Sequence, residues 1–524
     1  MQVNAVELEL MRHALVSIAE EMGTVLRRTS FSANIKERRD YSCAVYNAAG
    51  ETLAMGDHMP VHLGAMPLSV KHVRETFRLH PGDVAIVNDP FRGGTHLPDI
   101  TAVAGVFLGK EKSPSFYVAN RAHHADVGGM SPGSMPMASE IYQEGIRIPP
   151  VLLIRSGKVD QRLLDLILSN VRTPAEREGD LLAQWMSLDR GASRVRELVR
   201  RRGLARTLSS VNALLDYSER MMRAAIARLP QGRYEFEDFL DSDGITPKRL
   251  KIRAALTLDG SRATVDFTGS DPQAPGPVNA NYAIALAATA YVFRCLVKED
   301  IPFTAGLMRP IEVFAPEGSL VNARPPAAMA AGNVETSQRI TDVLLGALAK
   351  AAPDRIPAAS SGTMNNLSFG GADPFRHRPF AYYETIAGGM GASALHPGAD
   401  ATHTHMTNSW NTPVEAFEYL FPVRIAEYRI RPRSGGEGAH RGGDGIVREY
   451  EFLTAAEVTL LSDRRETVPY GLAGGGPGAP GKNTLRRGSK RSILPAKSRF
   501  NVQPGDRLRI ETPGGGGFAS KIKG

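Results

Sequence analysis

The sequence predicts an α+β fold of several antiparallel sheets, rich in loops, with a helical region at about residues 160–229. Three observations predict it. Short apolar runs of β-branched and aromatic residues recur between Gly, Pro, Asn and Asp, the pattern of strands joined by turns. From Asp160 to about Leu229 the spacing is helical instead, with breaks at Pro174 and Gly203. Glycine (52) and proline (35) are numerous but spread through apolar runs, so they punctuate a folded chain. A chain of 524 residues holds several domains, and we expect two, 1–235 (α+β) and 236–524 (β-rich).

In order, Glu7–Arg28 carries apolar residues at helical spacing (Leu8, Leu10, Met11, Leu15, Ile18, Met22, Leu26) and reads as an amphipathic helix. Tyr41–Tyr46 and Thr52–Met55 flank a turn signal at Asn47–Gly50 and read as a hairpin. Glu37 and Asp40 stand before this hairpin and Asp57 and His58 after it, so its open end gathers potential ligands. Leu63–Leu79 reads as a helix stopped by Pro81-Gly82.

The stretch Gly82–Met130 holds three strand-like runs, Val84–Val87, Ile100–Phe107 and Phe116–Val118. As an antiparallel meander, the first climbs into the loop Asn88–Asp99, the second descends, and the third climbs back to His123. That places His96, Asp99, His123, His124 and Asp126 at one end of a sheet, a set of donors suited to a divalent metal. The Gly/Pro/Ser-rich loop Gly128–Pro136 that follows suits a lid or a substrate-facing wall.

The second half opens with the turn Asp241–Gly244 and the strands Lys251–Thr257 and Ala263–Phe267. Helices are expected at Tyr282–Val297 and Asn333–Ala352. His403 and His405 stand two apart, so on a strand they would share a face. As an isolated pair they read as hydrogen-bonding residues before metal ligands. Strands follow at Asp444–Leu453, Val458–Leu461 and Leu508–Glu511, and Pro513–Phe518 reads as a glycine hinge.

Composition excludes several classes. Two cysteines, Cys43 and Cys295, give no disulfide framework and no activating motif surrounds either. Acidic residues interrupt the N-terminal apolar run, so it is no signal peptide, and the stretch Tyr282–Phe293 is too short for a bilayer. A reducing cytoplasm and no membrane are the expectation. The net charge of +8 sits largely in Arg-rich helical sequence such as Arg194–Arg206. Without a helix-turn-helix, zinc-finger or RNA-binding signature, this reads as a solvated or subunit-facing surface and not as a nucleic-acid site. The sequence also lacks GxxxxGK[ST], a GxGxxG between strand and helix, and GxSxG, so ATP chemistry would fall to a partner chain.

The segments IKERRDYSCAVYN, GDVAIVNDPFRGGTHLPDIT, NRAHHADVGG, IYQEGIRIPP, NVRTPAEREGDL, VDFTGSD, THMTNSWNTPVEAFE and ETPGGGGF together resemble the hydantoinase B/oxoprolinase family, nearly end to end and in order. That family takes in the B-type chains of N-methylhydantoinase, the C-terminal part of ATP-dependent 5-oxoprolinase and the α-type chains of acetone-type carboxylases. The resemblance implies a B-type chain in a hetero-oligomer with a nucleotide-binding hydantoinase A-type partner. It implies hydrolysis of a cyclic amide activated by ATP, with the carboxylase and a non-catalytic scaffold as alternatives. It also implies a divalent metal (Mn, Zn or Mg) on Glu37, His96, Asp99 and either His123 or His124. Asp126 is then a candidate base or orienter. Arg38, Arg39 and Arg121 are candidates for holding phosphate or carboxylate.

Overall fold

The computed structural model describes residues 3–520 except 57, 110 and 302. The first half is a seven-stranded antiparallel sheet made of β1 (Tyr41–Asn47), β2 (Thr52–Met55), β3 (Val84–Val87), β4 (Asp99–Val106), β5 (Phe116–His123), β6 (Val151–Arg155) and β7 (Lys158–Val159), ordered β2-β1-β5-β4-β3-β6-β7. The meander is β3-β4-β5, and β5 then pairs with the β1–β2 hairpin.

Both faces of this sheet are covered, and the two-residue period of its strands sorts the side chains between them. Cys43, Val45, Ile100, Ala102 and Val118 pack against helices α1 (Ala5–Thr29) and α5 (Pro174–Arg202). Ala44, Tyr46, Val103, Tyr117 and Ala119 pack against α3 (Met66–Thr76). Leu15, Met22 and Leu26 of α1 are buried, each stabilising the stack by roughly 1.5–3 kcal/mol. Helix α2 (Ala33–Lys36) and a 3₁₀ turn at Pro60–His62 fill the sheet's end, and α4 (Gln161–Leu168) and α6 (Leu204–Ala227) complete the helical region around α5. The helical region breaks before Pro174, which opens α5 because its missing N–H lies among the unbonded amides of a first turn. Several Arg194–Arg206 guanidiniums pair with Glu7, Glu21 and Glu197 of the chain itself.

The second half contains three sheets. In the first, β8 (Gly232–Leu240), β9 (Leu250–Asp259), β10 (Arg262–Asp266) and β11 (Ile311–Phe314) run in the order β11-β10-β9-β8, backed by α7 (Tyr282–Leu296) and α8 (Ser337–Ala351). Residue 235, where the sequence places a boundary, lies inside β8. The other two sheets are built from β12 (Asn366–Asp373), β13 (Arg378–Glu384), β14 (Val423–Arg431), β15 (Gly445–Phe452), β16 (Ala456–Leu461), β17 (Lys482–Arg487), β18 (Lys490–Leu494), β19 (Lys497–Val502) and β20 (Arg507–Glu511). Their orders are β13-β12-β16-β19 and β14-β15-β20-β17-β18. The fold is α+β, as the sequence predicts, and among the described residues no helix is long and apolar enough to cross a membrane.

Three local expectations change. His403 and His405 lie in a loop and not on a strand. Gly128–Pro136 is no open lid: Ser131 and Ser134 are buried, and Asp126 accepts the amides of Gly128 and Gly133. The glycine run near the C-terminus is a packing seam and not a hinge, since a Cβ on Gly515 would stand 2.0 Å from the Met390 carbonyl oxygen.

A buried histidine–aspartate group at the sheet end

The register β4–β5 sets Asp99 directly opposite His123 and Thr101 opposite Arg121. These four share the α3-side face of the sheet, while His124, one residue on, turns to the other. His96 arrives from the preceding loop, whose tight path needs Gly94: a Cβ there would stand 2.2 Å from the Asn88 carbonyl oxygen. One nitrogen each from His96 and His123 and one Asp99 oxygen lie within 4.8 Å of one another, all three residues buried.

Asp99 is the hub. Its Oδ1 stands 3.1 Å from His96 Nε2 and 3.2 Å from His123 Nδ1. Its Oδ2 accepts from Thr95 Oγ1 at 3.1 Å, Asn333 Nδ2 at 3.3 Å and His62 Nε2 at 3.3 Å. Burial pushes this carboxyl upward, but the surrounding imidazoles outweigh it and hold Asp99 well below the usual carboxylate range. Burial lowers His123 and His62, with Asp99 opposing it in both cases.

The protons on His96 can be assigned from its neighbours. The Ala330 carbonyl can only accept, so Nδ1, 3.1 Å away, carries the proton. The Asn333 amide donates to Nε2 at 3.1 Å, so that nitrogen presents its lone pair. Asp99 Oδ1 stands 3.1 Å from the same nitrogen, so a cation replacing the Asn333 amide at Nε2 could be held by both. His123 Nε2 is buried without a hydrogen-bond partner among the described residues, a further donor with nothing to ligate in the protein. The donor set of two imidazoles and a carboxylate fits zinc, manganese or magnesium.

Around this group stand residues that local sequence does not reveal. His62, on the 3₁₀ turn, receives the Ser42 hydroxyl at Nδ1 (2.8 Å) and points Nε2 at Asp99. Asn333 comes from the turn that opens α8. The Tyr383 ring stacks on His123 at 4.4 Å and 17°, with its hydroxyl donating to Asn366. No signal in the sequence singles these out beyond the polar character of the α8 start. Glu144 ties the loop below them, accepting the amides of Met329 and Ala330.

The other expected residues lie as follows. Glu37 caps α2 at its C-terminal end, half-buried, outside the three-residue group. His124 bonds Gln184 of α5 at 3.0 Å, on the opposite face. Asp126 takes the amide and guanidinium of Arg172 besides its two loop amides, so its oxygens serve as a loop anchor. Arg121 is buried and donates to Thr101, Ser69 and Thr95, bracing the loop that carries His96. Arg38 is buried too, donating to the Tyr383 carbonyl and Thr385. Arg39, in the left-handed region at φ 55, lies over the Trp410 ring at 3.5 Å. Of the hairpin cluster, the Asp40 carbonyl receives the His123 amide at 3.0 Å. His58 turns toward α1, with Nε2 3.7 Å from Glu20, and Asp57 lies outside the described residues.

The Hydantoinase B/oxoprolinase family model matches residues 4–521. The chain belongs to that family. It is 40% identical to 5-oxoprolinase 1 of Arabidopsis thaliana over 99% of its own length, and spans 42% of that longer single chain. A Pseudomonas sp. protein whose provisional name makes it the B-type chain of a D-/L-hydantoinase is 30% identical, with 100% of this chain and 91% of that protein covered. The crystal structure of the ATP-dependent caprolactamase from Pseudomonas jessenii superposes with a TM-score of 0.91 at 29% identity, covering 99% of this chain and 92% of that one. The family thus groups this chain with ATP-dependent cyclic amide hydrolases.

Proposed function

We propose that this chain is the B-type component of an ATP-dependent cyclic amidase of the 5-oxoprolinase or hydantoinase type, opening a lactam or imide ring after an A-type partner activates it. The observation that carries the reading is the buried His96–Asp99–His123 group, in which one nitrogen of each imidazole and one carboxylate oxygen lie within 4.8 Å of one another. An amide carbonyl is a poor electrophile. Phosphorylation of its oxygen from ATP on the partner makes it a good one. Water then adds to the carbon, the C–N bond breaks, the nitrogen leaves with a proton, and phosphate is released.

His96, Asp99 and His123 are the residues that would hold a divalent ion, which when bound lowers the pKa of a water toward roughly 7. His62, Thr95 and Asn333 fix the Asp99 carboxylate, and Ala330 fixes the His96 tautomer, so the donors are oriented before any ligand arrives. Burial on both sides by Tyr383 and the Asn88–Asp99 loop keeps bulk water from the group. Arg39, half-buried beside Trp410, is the guanidinium best placed among the sequence candidates to meet an anionic group from outside.

The test is purification alone and with the A-type partner. The chain alone is expected to carry about one divalent ion and to turn over no ATP. His96→Ala and Asp99→Ala should each lose most of the metal. With the partner, Asp99→Ala should retain nucleotide binding and form no ring-opened product from 5-oxoproline or hydantoin. Equal metal content in wild type and both variants would remove the site assignment.

A further inference from the structure

The turn that opens α8 does more than deliver Asn333. It is a wide, π-helical turn over Gly332–Thr336, in which the Ala331 carbonyl accepts the Glu335 amide at 2.7 Å and the Gly332 carbonyl accepts the Ser337 amide. Wide turns of this kind concentrate at functional sites. Residues two apart on a helical turn do not share a side, and here they face different parts of the fold. Asn333 faces the end of the first sheet, donating to His96 Nε2 at 3.1 Å and to Asp99 Oδ2 at 3.3 Å. Glu335 faces β12, where its Oε1 accepts the Asn366 side-chain amide at 2.7 Å and the Met364 backbone amide at 3.0 Å.

Asn366 carries the contact onward. The Leu461 carbonyl, 2.6 Å away, can only accept, so Asn366 turns its NH₂ toward that carbonyl and Glu335. Its oxygen is thereby left for the Tyr383 hydroxyl, which donates to it at 2.7 Å. The Tyr383 ring lies on His123, and His123 Nδ1 returns to Asp99 Oδ1 at 3.2 Å. The contacts close a circuit, from Asp99 through Asn333, Glu335, Asn366, Tyr383 and His123 back to Asp99, and every member is buried. Glu335 occupies the far point of that circuit, with an arm to each histidine. Burial, with Asp463 nearby, pushes its carboxyl up to about 7 against the field of Lys497. Both of its bonds to Asn366 and Met364 ask only for an acceptor, so a neutral amide of the same shape can make them.

We propose that Glu335 is a positioning residue for the histidine–aspartate group. Through its own turn it sets Asn333 on His96 and Asp99, and through Asn366 and Tyr383 it sets the plane of the His123 ring. The inference rests on the ring-opening reading for what the oriented group is used for, and its geometry is tested apart from that reading.

The test is nitrogen NMR of labelled histidine rings in the metal-free full chain at one fixed pH, with His96 and His123 assigned from His96→Gln and His123→Gln. Wild type is expected to show His96 as the Nδ1–H tautomer. Glu335→Ala should shift the ring signals of both histidines, and Glu335→Gln should return both to their wild-type positions. Tyr383→Phe, which removes one hydroxyl, should shift His123 and leave His96 unchanged. Titration with cobalt(II) gives a second readout: Glu335→Ala should weaken its binding about tenfold, and Glu335→Gln should restore it. Unchanged histidine signals in folded Glu335→Ala overturn the proposal, as does a Glu335→Gln chain whose signals stay displaced. Should Glu335→Ala not fold, Tyr383→Phe decides, and a His123 signal identical to wild type overturns the proposal. Histidine signals that move as expected in a chain taking up no cobalt would keep Glu335 as a positioning residue and discard the metal reading, so the two fail separately.

Discussion

Two buried polar clusters, one in each half of the chain, solve the cost of burying charge in different ways. In the second half, Asp238, Asp342 and Asp463 face Arg339, Arg464 and Lys497, three carboxylates against three cations, with Arg464 at 2.7 Å from both Asp238 and Asp342. That cluster is balanced by the chain's own charges and ties β8, α8 and the segment after β16 together. At the sheet end of the first half, one carboxylate meets three imidazoles, one of which offers a lone pair where a proton would be expected. Both oxygens of its carboxylate are held, while His123 Nε2 and Asn333 Oδ1 are buried without a hydrogen-bond partner among the described residues. Ion pairs between elements stabilise an architecture; imidazole and carboxylate donors gathered at one point suit a ligand.

Breaking the closed cluster is expected to have the largest effect on folding. Arg464→Ala leaves Asp238 and Asp342 without their nearest cation, and should lower unfolding free energy by about 3–5 kcal/mol in denaturant titration. Uptake of added divalent metal by the folded fraction should be unchanged. A loss of metal matching the loss of stability would mean that the two clusters are not independent.

The open cluster should respond the other way. His62→Ala removes a residue that orients Asp99 without belonging to the three-residue group, so affinity for zinc or manganese is expected to fall about 10–100-fold with little change in denaturation midpoint. His62→Gln, which can still donate to Asp99, should recover part of it. Unchanged affinity in both would make His62 a packing residue only.

A further effect concerns pH. His403 is lowered from 6.5 to about 3, by burial first and then by Arg38. The unfolded chain therefore binds more protons there between those values. Stability is full above about pH 6.5 and declines as pH falls toward 3. His403→Gln should flatten that part of the stability profile, measured by thermal unfolding at a series of pH values. A profile identical to wild type would show that the ring titrates freely.

What sequence can and cannot show divides along chain separation. The meander is legible because β-branched runs and turn residues are local signals, and its register follows once the turns are placed. His96, Asp99 and His123 come out at one sheet end from that topology alone. His124 does not join them, because adjacent residues at a strand end face opposite sides. His62 and Asn333 reach Asp99 across 37 and 234 residues. Such contacts depend on how one sheet packs on another, and no periodicity encodes that. The glycine run misleads for the same reason: a hinge and a seam both need residues without side chains, and only the neighbouring backbone at Met390 tells them apart.

The order of the last sheet sets it apart from the first. Its middle strand, β20, is also its latest in sequence, and the glycines that follow thread between backbone at Met390, Ser434, Glu437 and Tyr470. The first sheet needs nothing after residue 159 to complete its pairing. The pairing that sets Asp99 opposite His123 thus needs neither Asn333 nor Tyr383, which come later in the chain.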